Sequence, residues 1–232
     1  DTLSIRYSMP QWIVDRFVAA YGEKKAEEIF KAFHSKSTIS IRTNLTRCTP
    51  DELRAMLEAE GVTVTAVDEL NYAFVISGFD YLNGLQSFRD GLFYVQDISS
   101  MLVAQTAAPK KGDYVIDVCA APGGKSTHIA ELLQGSGHVL ARDLTDNKVD
   151  MIEENIERHG LNNMSAEVWD ATVFDADSAG KADILICDLP CSGLGVLGRK
   201  KDIRYKMTTE SVDELVALQR QILDTVHTYV KP

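Results

Sequence analysis

The stretch Tyr114–Cys119, followed by Ala120-Ala121-Pro122-Gly123-Gly124-Lys125-Ser126-Thr127, constrains this chain more than any other. Val115-Ile116-Asp117-Val118 is a nearly continuous apolar run, the pattern of a central parallel strand covered on both faces. A proline and two glycines interrupt it, and a helical pattern runs from about Gly124 to Leu133. The same rhythm recurs downstream. Strands are predicted over His138–Arg142, Met164–Trp169 and Ala182–Cys187, with helices over Asp146–His159 and Glu210–Tyr229. Ile184-Leu185-Ile186-Cys187 also reads as a central strand. Strand–helix alternation of this kind predicts an α/β fold with a doubly wound parallel sheet. Its ligand crevice lies at the carboxyl ends of the strands.

The first 90 residues read differently. Ser8-Met9-Pro10 opens a helix carrying Trp12, Ile13, Phe17 and Val18 at helical spacing; Gly22 ends it and a second helix covers Glu23–Phe33. Ile39-Ser40-Ile41-Arg42-Thr43 alternates like a half-buried strand. Thr49-Pro50-Asp51-Glu52 is a capping box with proline at the first helical position, and the helix it opens stops at Gly61. Val62–Val67 and Ala73–Ser77 alternate again. The expected organisation is a small α+β module over residues 1–90 and the parallel-sheet domain over 91–232. The sequence stops at Val230-Lys231-Pro232, and four strands with no partner beyond the last leave an open edge. C-terminal strands of the sheet are therefore expected outside this sequence.

Composition excludes several classes. With 45% apolar and 25% charged residues over 232 positions, the chain is neither disordered nor collagen-like nor a coiled coil. No run approaches the ~20 apolar residues of a membrane helix, and Asp1–Pro10 carries no signal pattern. Cys48, Cys119, Cys187 and Cys191 form neither a CxxC pair nor zinc spacing, so a reduced, cytoplasmic, metal-free protein is expected. A net charge of −10 argues against indiscriminate nucleic-acid binding. The exception is local. Arg199, Lys200, Lys201, Arg204 and Lys206 stand within eight residues that hold one acid, Asp202, a basic stripe able to recruit a polyanion.

Two ligand classes compete for the glycine turn. Gly124-Lys125-Ser126 supplies the end of a phosphate-binding loop, and Ile184–Asp188 passes for the Mg²⁺-binding strand of an ATPase. However, Cys119 stands where that loop needs its first glycine, and Pro122 removes an N–H that would cradle phosphate. The dinucleotide pattern GxGxxG is also absent. S-adenosylmethionine fits better. Its ribose hydroxyls want a carboxylate at the end of the second strand, and Asp143 lies 20 residues past Gly123, directly after His138–Arg142. Asp170 ends the third strand and can approach the adenine amino group; alone it reads as a cap or a surface acid.

At the fourth strand end stands Asp188-Leu189-Pro190-Cys191-Ser192-Gly193. A cysteine after a strand is often only a small half-buried side chain, which suits Cys48 and Cys187. Cys191 differs, flanked by an acid, a proline and a glycine at the expected crevice. The chemistry that wants a thiol there is pyrimidine methylation. Carbon 5 is a poor nucleophile until a thiolate adds at carbon 6, and a nearby acid such as Asp188 must hydrogen-bond N3. Lys125 is placed to orient Asp188 or to steady charge, or is an ordinary lysine of the first helical turn.

Together, Asp117–Lys125, Asp143, Asp170 and Asp188–Gly193 resemble the Nop/Sun-type RNA 5-methylcytosine methyltransferases, and among them the bacterial ribosomal RNA small-subunit enzymes. The likeness extends through Gly91–Ser100 and, more weakly, Ile41-Arg42-Thr43-Asn44. It implies a Rossmann-like domain that binds S-adenosylmethionine along Cys119, Ala120, Ala121, Pro122, Gly123, Gly124 and Lys125. Asp143 is then at the ribose, Asp170 near the adenine and Asp188 near the methyl group and the base. It also implies a small N-terminal RNA-binding module, with Arg199, Lys200, Lys201, Arg204 and Lys206 on phosphates beside a flipped base. In such enzymes the Pro-Cys cysteine, here Cys191, helps release product, and the nucleophile belongs to a Thr-Cys motif on a later strand, outside this sequence. Lys201 departs from the family pattern, which has proline there. The expectation is thus a monomeric methyltransferase acting on cytidine C5 of RNA, ribosomal in kind, with the present segment inactive alone. The alternatives are a non-catalytic RNA-binding assembly protein on the same fold and, further off, a P-loop NTPase.

Overall fold

A computed structural model describes residues 2–35 and 38–232. The chain opens on α1 (Leu3–Arg6), α2 (Gln11–Tyr21) and α3 (Glu23–Ala32). Gly22, at φ 78°, makes the sharp turn between the last two, a left-handed backbone that a side chain would strain. Met9, Ile13, Val14, Ala26 and Phe30 are buried together, with Phe17 against Phe30 at 5.3 Å between ring centroids.

An antiparallel sheet follows. It is built from β1 (Ile39–Thr43), α4 (Pro50–Ala59), β2 (Thr63–Val67), β3 (Leu70–Ser77), α5 (Gln86–Arg89) and β4 (Phe93–Val95), in strand order β2-β3-β1-β4. This β-α-β-β-α-β path is the ferredoxin-like arrangement. The capping box forms: Glu52 N–H donates to Thr49 Oγ1 at 3.3 Å, and Thr49 N–H donates to Glu52 Oε2 at 2.8 Å. One face packs Ile41, Leu53, Leu57, Phe74 and Phe93 into a core. The expectation that β1 is half-buried is corrected by its other face, where Ser40 and Arg42 are 8% and 1% exposed. Alternation reports polarity, and here polar side chains are buried too. The sheet also runs past residue 90, because β4 pairs with β1 from Ile41↔Val95 to Thr43↔Phe93.

The second sheet is parallel, as the apolar strand runs require. After α6 (Ile98–Ala107) come β5 (Tyr114–Asp117), α7 (Gly124–Leu132), β6 (His138–Asp143), α8 (Asp146–His159), β7 (Met164–Val168) and β8 (Ile184–Ile186). The strand order is β7-β6-β5-β8. Chain order therefore reverses at β5, the point where doubly wound folds open a ligand crevice. Val115, Ile129, Leu133, Val139, Ala141 and Ile152 form its core. In α8, Val149 and Ile152 face inward, and Gly160 at φ 67° stops the helix in the left-handed conformation. Among the described residues β8 pairs with β5 from Val115↔Ile184 to Asp117↔Ile186, and just before β8 Ala182 makes a parallel bridge to Val230.

The chain finishes with α9 (Ile203–Lys206) and α10 (Thr209–Val226). Two compact units result: Asp1–Ser37 with Pro190–Arg220, and Thr38–Leu189 with Gln221–Pro232. In the first, buried Leu197 and half-buried Ile203 join the cluster of α2 and α3. Both sheets belong to the second. No helix among the described residues is long and apolar enough to cross a membrane.

Candidate functional site

Four strands of the parallel sheet end in the residues that the sequence singled out. After β5, the turn Cys119–Gly123 is pinned from several directions. Ala120 N–H donates to the Arg142 carbonyl at 2.8 Å, and Gly123 N–H donates to the Ala120 carbonyl at 2.7 Å. Gly123 sits at φ 98°, with the side chain of Ile152 3.3 Å from where a Cβ would stand. Thr127 N–H then donates to the Gly123 carbonyl at 2.8 Å, which starts α7.

Asp143, at the end of β6, is only 5% exposed and faces this turn. Its Oδ2 accepts from Ala121 N–H at 2.9 Å, while Oδ1 accepts from Leu144 N–H and Lys148 Nζ, both at 2.8 Å. The structure therefore brings the second-strand acid onto the glycine turn. A carboxylate held at the mouth of a crevice by backbone donors is the group a ribose diol needs. The missing side chains of Gly123 and Gly124 let Ile152 and Tyr94 pack against the turn from the protein side. These residues fit S-adenosylmethionine.

Beneath the turn lies Asp117, the last residue of β5, 1% exposed. Ser126 Oγ donates to it at 2.6 Å and Cys119 N–H at 3.4 Å. Burial outweighs these bonds and pushes its carboxyl up to about 6. Sequence reasoning had counted Asp117 as part of a motif without giving it a task; its task is to tie strand, turn and helix together. Burial also raises the Cys119 thiol to about 12 and the Cys187 thiol to about 11, so neither is a ready nucleophile.

At the end of β8, Lys125 Nζ forms an ion pair with Asp188 Oδ2 across from the first turn of α7. Lys125 thus orients Asp188. Its side chain is 20% exposed and that of Asp188 is 56% exposed, an arrangement open to a ligand. An open groove of about 530 Å³, lined by Leu102, Val103, Thr106, Ile186 and Cys187, runs along β8 and reaches this pair.

Asp170, following β7, is exposed, and its Oδ1 accepts from Thr172 N–H at 2.9 Å and Thr172 Oγ1 at 2.7 Å. Those hydrogen bonds hold its carboxyl below the usual carboxylate range. Its neighbour Trp169 donates its N–H to the Asp143 carbonyl at 2.9 Å, which keeps the two strand ends side by side.

Cys191 and the basic stripe belong to the other compact unit. Cys191 is the exposed cysteine of the four, and all four are free thiols. Gln219 Nε2 donates to the carbonyl of Pro190 at 2.7 Å, anchoring the Pro-Cys bend to α10. Within the stripe, Arg199, Lys200, Lys201 and Lys206 are exposed, and Lys206 pairs with Asp202 at 2.8 Å. Arg204 departs from the expectation. It is 4% exposed, and its guanidinium donates to the carbonyls of Ser8 at 3.1 Å and Leu197 at 3.4 Å. Its charge is spent on closing the loop over the N-terminal helices.

Sequence reasoning missed a second set of residues around the turn. Tyr94 Oη donates to the Pro122 carbonyl at 3.1 Å, and Gln96 Nε2 donates to the Gly124 carbonyl at 3.1 Å. The only available signal was their place in the Gly91–Ser100 segment. Among the described residues, no group of three or more His, Cys, Asp or Glu side chains stands together to hold a metal.

Comparison with known proteins identifies the family. The family model for the 16S rRNA methyltransferase RsmB/F matches residues 104–232, and that for the RsmF/B-like ferredoxin-like domain matches residues 9–79. The chain belongs to the RsmB/F family of 16S rRNA methyltransferases. It is 36% identical over 231 residues to the probable ribosomal RNA small subunit methyltransferase B of Bacillus subtilis, covering 99% of this chain and 51% of that protein. It is 30% identical to the Proteus mirabilis ribosomal RNA small subunit methyltransferase B, covering 97% and 53%. The chain thus spans about half the length of these curated relatives. Among solved structures, PH0851 superposes with a TM-score of 0.94 at 28% identity, covering 99% of this chain and 52% of that one. NSun6 from Pyrococcus horikoshii, solved with SFG, an analogue of S-adenosylmethionine, gives 0.84 at 20% identity, covering 96% and 80%; at that identity the likeness speaks to the fold.

Proposed function

We propose that the protein transfers a methyl group from S-adenosylmethionine to C5 of a cytidine in RNA, ribosomal RNA being the substrate class. The observation that carries this reading is the placement of Asp143 on the glycine turn, with the Lys125–Asp188 pair at the end of β8, in a member of the RsmB/F family.

S-adenosylmethionine supplies an electrophilic methyl group on a sulfonium sulfur. In this reading Asp143 takes the ribose hydroxyls, sharing its Oδ1 with Lys148, and Asp170 approaches the adenine edge. Cytosine C5 becomes nucleophilic when a thiolate adds at C6; loss of the C5 proton and of the thiol afterwards restores the aromatic ring. N3 is an acceptor, so Asp188, held beside Lys125, serves it by carrying a proton and donating a hydrogen bond as charge builds there. Cys191 serves product release, the attacking thiol belonging to a Thr-Cys segment outside this sequence. Arg199, Lys200, Lys201 and Lys206 contact phosphates; Arg204 holds their loop. The reading divides the chain into an N-terminal RNA-binding module, whose sheet runs on to Val95, and a methyltransferase domain after it, a division supported by the family matches at 9–79 and 104–232. It includes a monomer in a reducing, cytoplasmic setting, in line with the four free thiols.

Incubation of the full protein with tritiated S-adenosylmethionine and unmodified ribosomal RNA tests the reading. Label at cytidine C5 is the expected result. RNA without label would end it.

A further inference from the structure

The segment Ile41-Arg42-Thr43-Asn44 belongs to the small antiparallel sheet, which the reading above assigns to RNA. Arg42 cannot reach RNA. It is 1% exposed and among the largest fully buried side chains. Its Nε donates to Gln96 Oε1 at 2.8 Å, its Nη2 donates to Thr127 Oγ1 at 3.1 Å, and its Nη1 is bonded to Glu131 Oε2. Every one of these contacts leads to the cofactor turn or to the helix that begins there.

Gln96 is the next link. It is 6% exposed and held at the backbone on both sides: its N–H donates to the Ser40 carbonyl at 3.1 Å, and its carbonyl accepts from Ser40 Oγ at 2.7 Å. With Oε1 engaged by Arg42, its amide group has one orientation, and Nε2 donates to the Gly124 carbonyl at 3.1 Å. Tyr94, two residues earlier, donates its hydroxyl to the Pro122 carbonyl, which also accepts from Asn155 Nδ2 at 3.0 Å. The Tyr94 ring is itself fixed between guanidinium groups, with Arg42 at 5.6 Å and Arg158 at 5.7 Å from its centroid. The contact is close: a Cβ on residue 124 would lie 3.1 Å from Tyr94 Cε1 and 3.7 Å from Gln96 Nε2, so any side chain there presses on the Tyr94 ring.

We propose that Tyr94 and Gln96, backed by Arg42, are positioning residues for the cofactor turn, so that the antiparallel sheet is a working part of the S-adenosylmethionine site. The inference rests on the methyltransferase reading. The two carbonyls held by Tyr94 and Gln96 flank Gly123, and the Pro122 carbonyl lies one residue past Ala121, whose N–H meets Asp143. Releasing them leaves the pocket's chemistry intact and its geometry loose, which costs affinity for the cofactor.

The test compares Tyr94→Phe and Gln96→Glu with wild type in the full protein. Tyr94→Phe deletes one hydroxyl; Gln96→Glu keeps an acceptor for Arg42 and removes the donor to Gly124. A net hydrogen bond of ~1 kcal/mol corresponds to roughly a fivefold change in affinity. Calorimetry should show S-adenosylmethionine binding weakened about fivefold by Tyr94→Phe and at least as much by Gln96→Glu. KM for RNA, and kcat at saturating cofactor, should stay within about twofold. Gln96→Leu, lacking both groups, should behave like the glutamate variant. Hydrogen exchange should show faster exchange at the amides of Ala121 and of residues 123–125. Variants that bind the cofactor as wild type does, while only their urea midpoint falls, would reduce these residues to ordinary packing and overturn the proposal. Wild-type protein that fails to bind S-adenosylmethionine would instead overturn the reading on which it rests.

Discussion

Asp117→Asn separates a charge effect from a hydrogen-bond effect beneath the cofactor turn. Burial raises the carboxyl from 3.8 to about 6 against the opposing bonds from Ser126 and Cys119. The fold therefore prefers the protonated acid. Stability contributed by that preference is fully present below pH 3.8, the unfolded value, and is lost as pH rises through about 6, the folded one. At 1.36 kcal/mol per pKa unit, ionisation at neutral pH costs the folded protein about 3 kcal/mol. Roughly half of that falls between pH 5 and pH 8. Asparagine carries no such charge. It loses at most one of the two bonds, an offset that does not vary with pH. Urea denaturation of both proteins at several pH values between about 5 and 8 reads the difference. The variant should gain on wild type by about 1 kcal/mol across that window, with unchanged m-values. Two stability curves that run parallel would show that Asp117 is not raised, and the desolvation argument would be wrong.

Gly91→Ala should lose at least about 2 kcal/mol of stability, since φ is 63° and a Cβ would lie 1.9 Å from the Arg158 carbonyl oxygen; a thermal midpoint within error of wild type would refute this. Brief alkylation with iodoacetamide at mildly alkaline pH should label exposed Cys191 before Cys119 and Cys187, whose thiols burial pushes up to about 12 and about 11; peptide mass spectrometry gives the order, and early labelling of Cys119 would contradict it. The double variant Lys200→Glu, Lys201→Glu should weaken ribosomal RNA binding and lower the slope of log affinity against log salt by roughly 1.5, on ~0.7 per single-stranded phosphate contact, while an unchanged slope would remove this loop from the RNA interface. Arg204→Ala, by contrast, should show its loss in the urea midpoint, because its guanidinium holds the carbonyls of Ser8 and Leu197.

What could be read from the chain was whatever depends on neighbours close in sequence. Thr49-Pro50-Asp51-Glu52 fixes a helix start because both partners of the capping box lie within one turn. Asp146–His159 was bounded to the residue, since its apolar stripe ends at a glycine that adopts the left-handed conformation. Asp143 was legible because strand and helix lengths in a doubly wound unit place the second-strand acid about 20 residues past the turn. β4 escaped notice: three residues are too few to show a period, and its pairing with β1 closes a gap of about fifty residues. The union of residues 190–220 with the first 37 escaped too, because nothing local in either segment names the other. Arg204 shows the same limit, a cation one of whose partners, the Ser8 carbonyl, stands nearly two hundred positions away.

Arg42 carries the sharpest lesson about why polarity and exposure are different quantities. In an alternating strand an arginine beside Ile41 reads as the solvent side, and for a sheet with one free face it would be. Here a buried guanidinium is tolerable because Gln96, Thr127 and Glu131 meet three of its nitrogens, and leaving such a charge unpaired would cost several kcal/mol. That cost makes the pairing selective: a small displacement of β1 from α7 strips acceptors from a desolvated cation, whereas the same displacement between apolar surfaces would cost much less. The buried arginine thus sets the register between the antiparallel sheet and the helix that starts at the cofactor turn, which a purely apolar contact would leave free to slide.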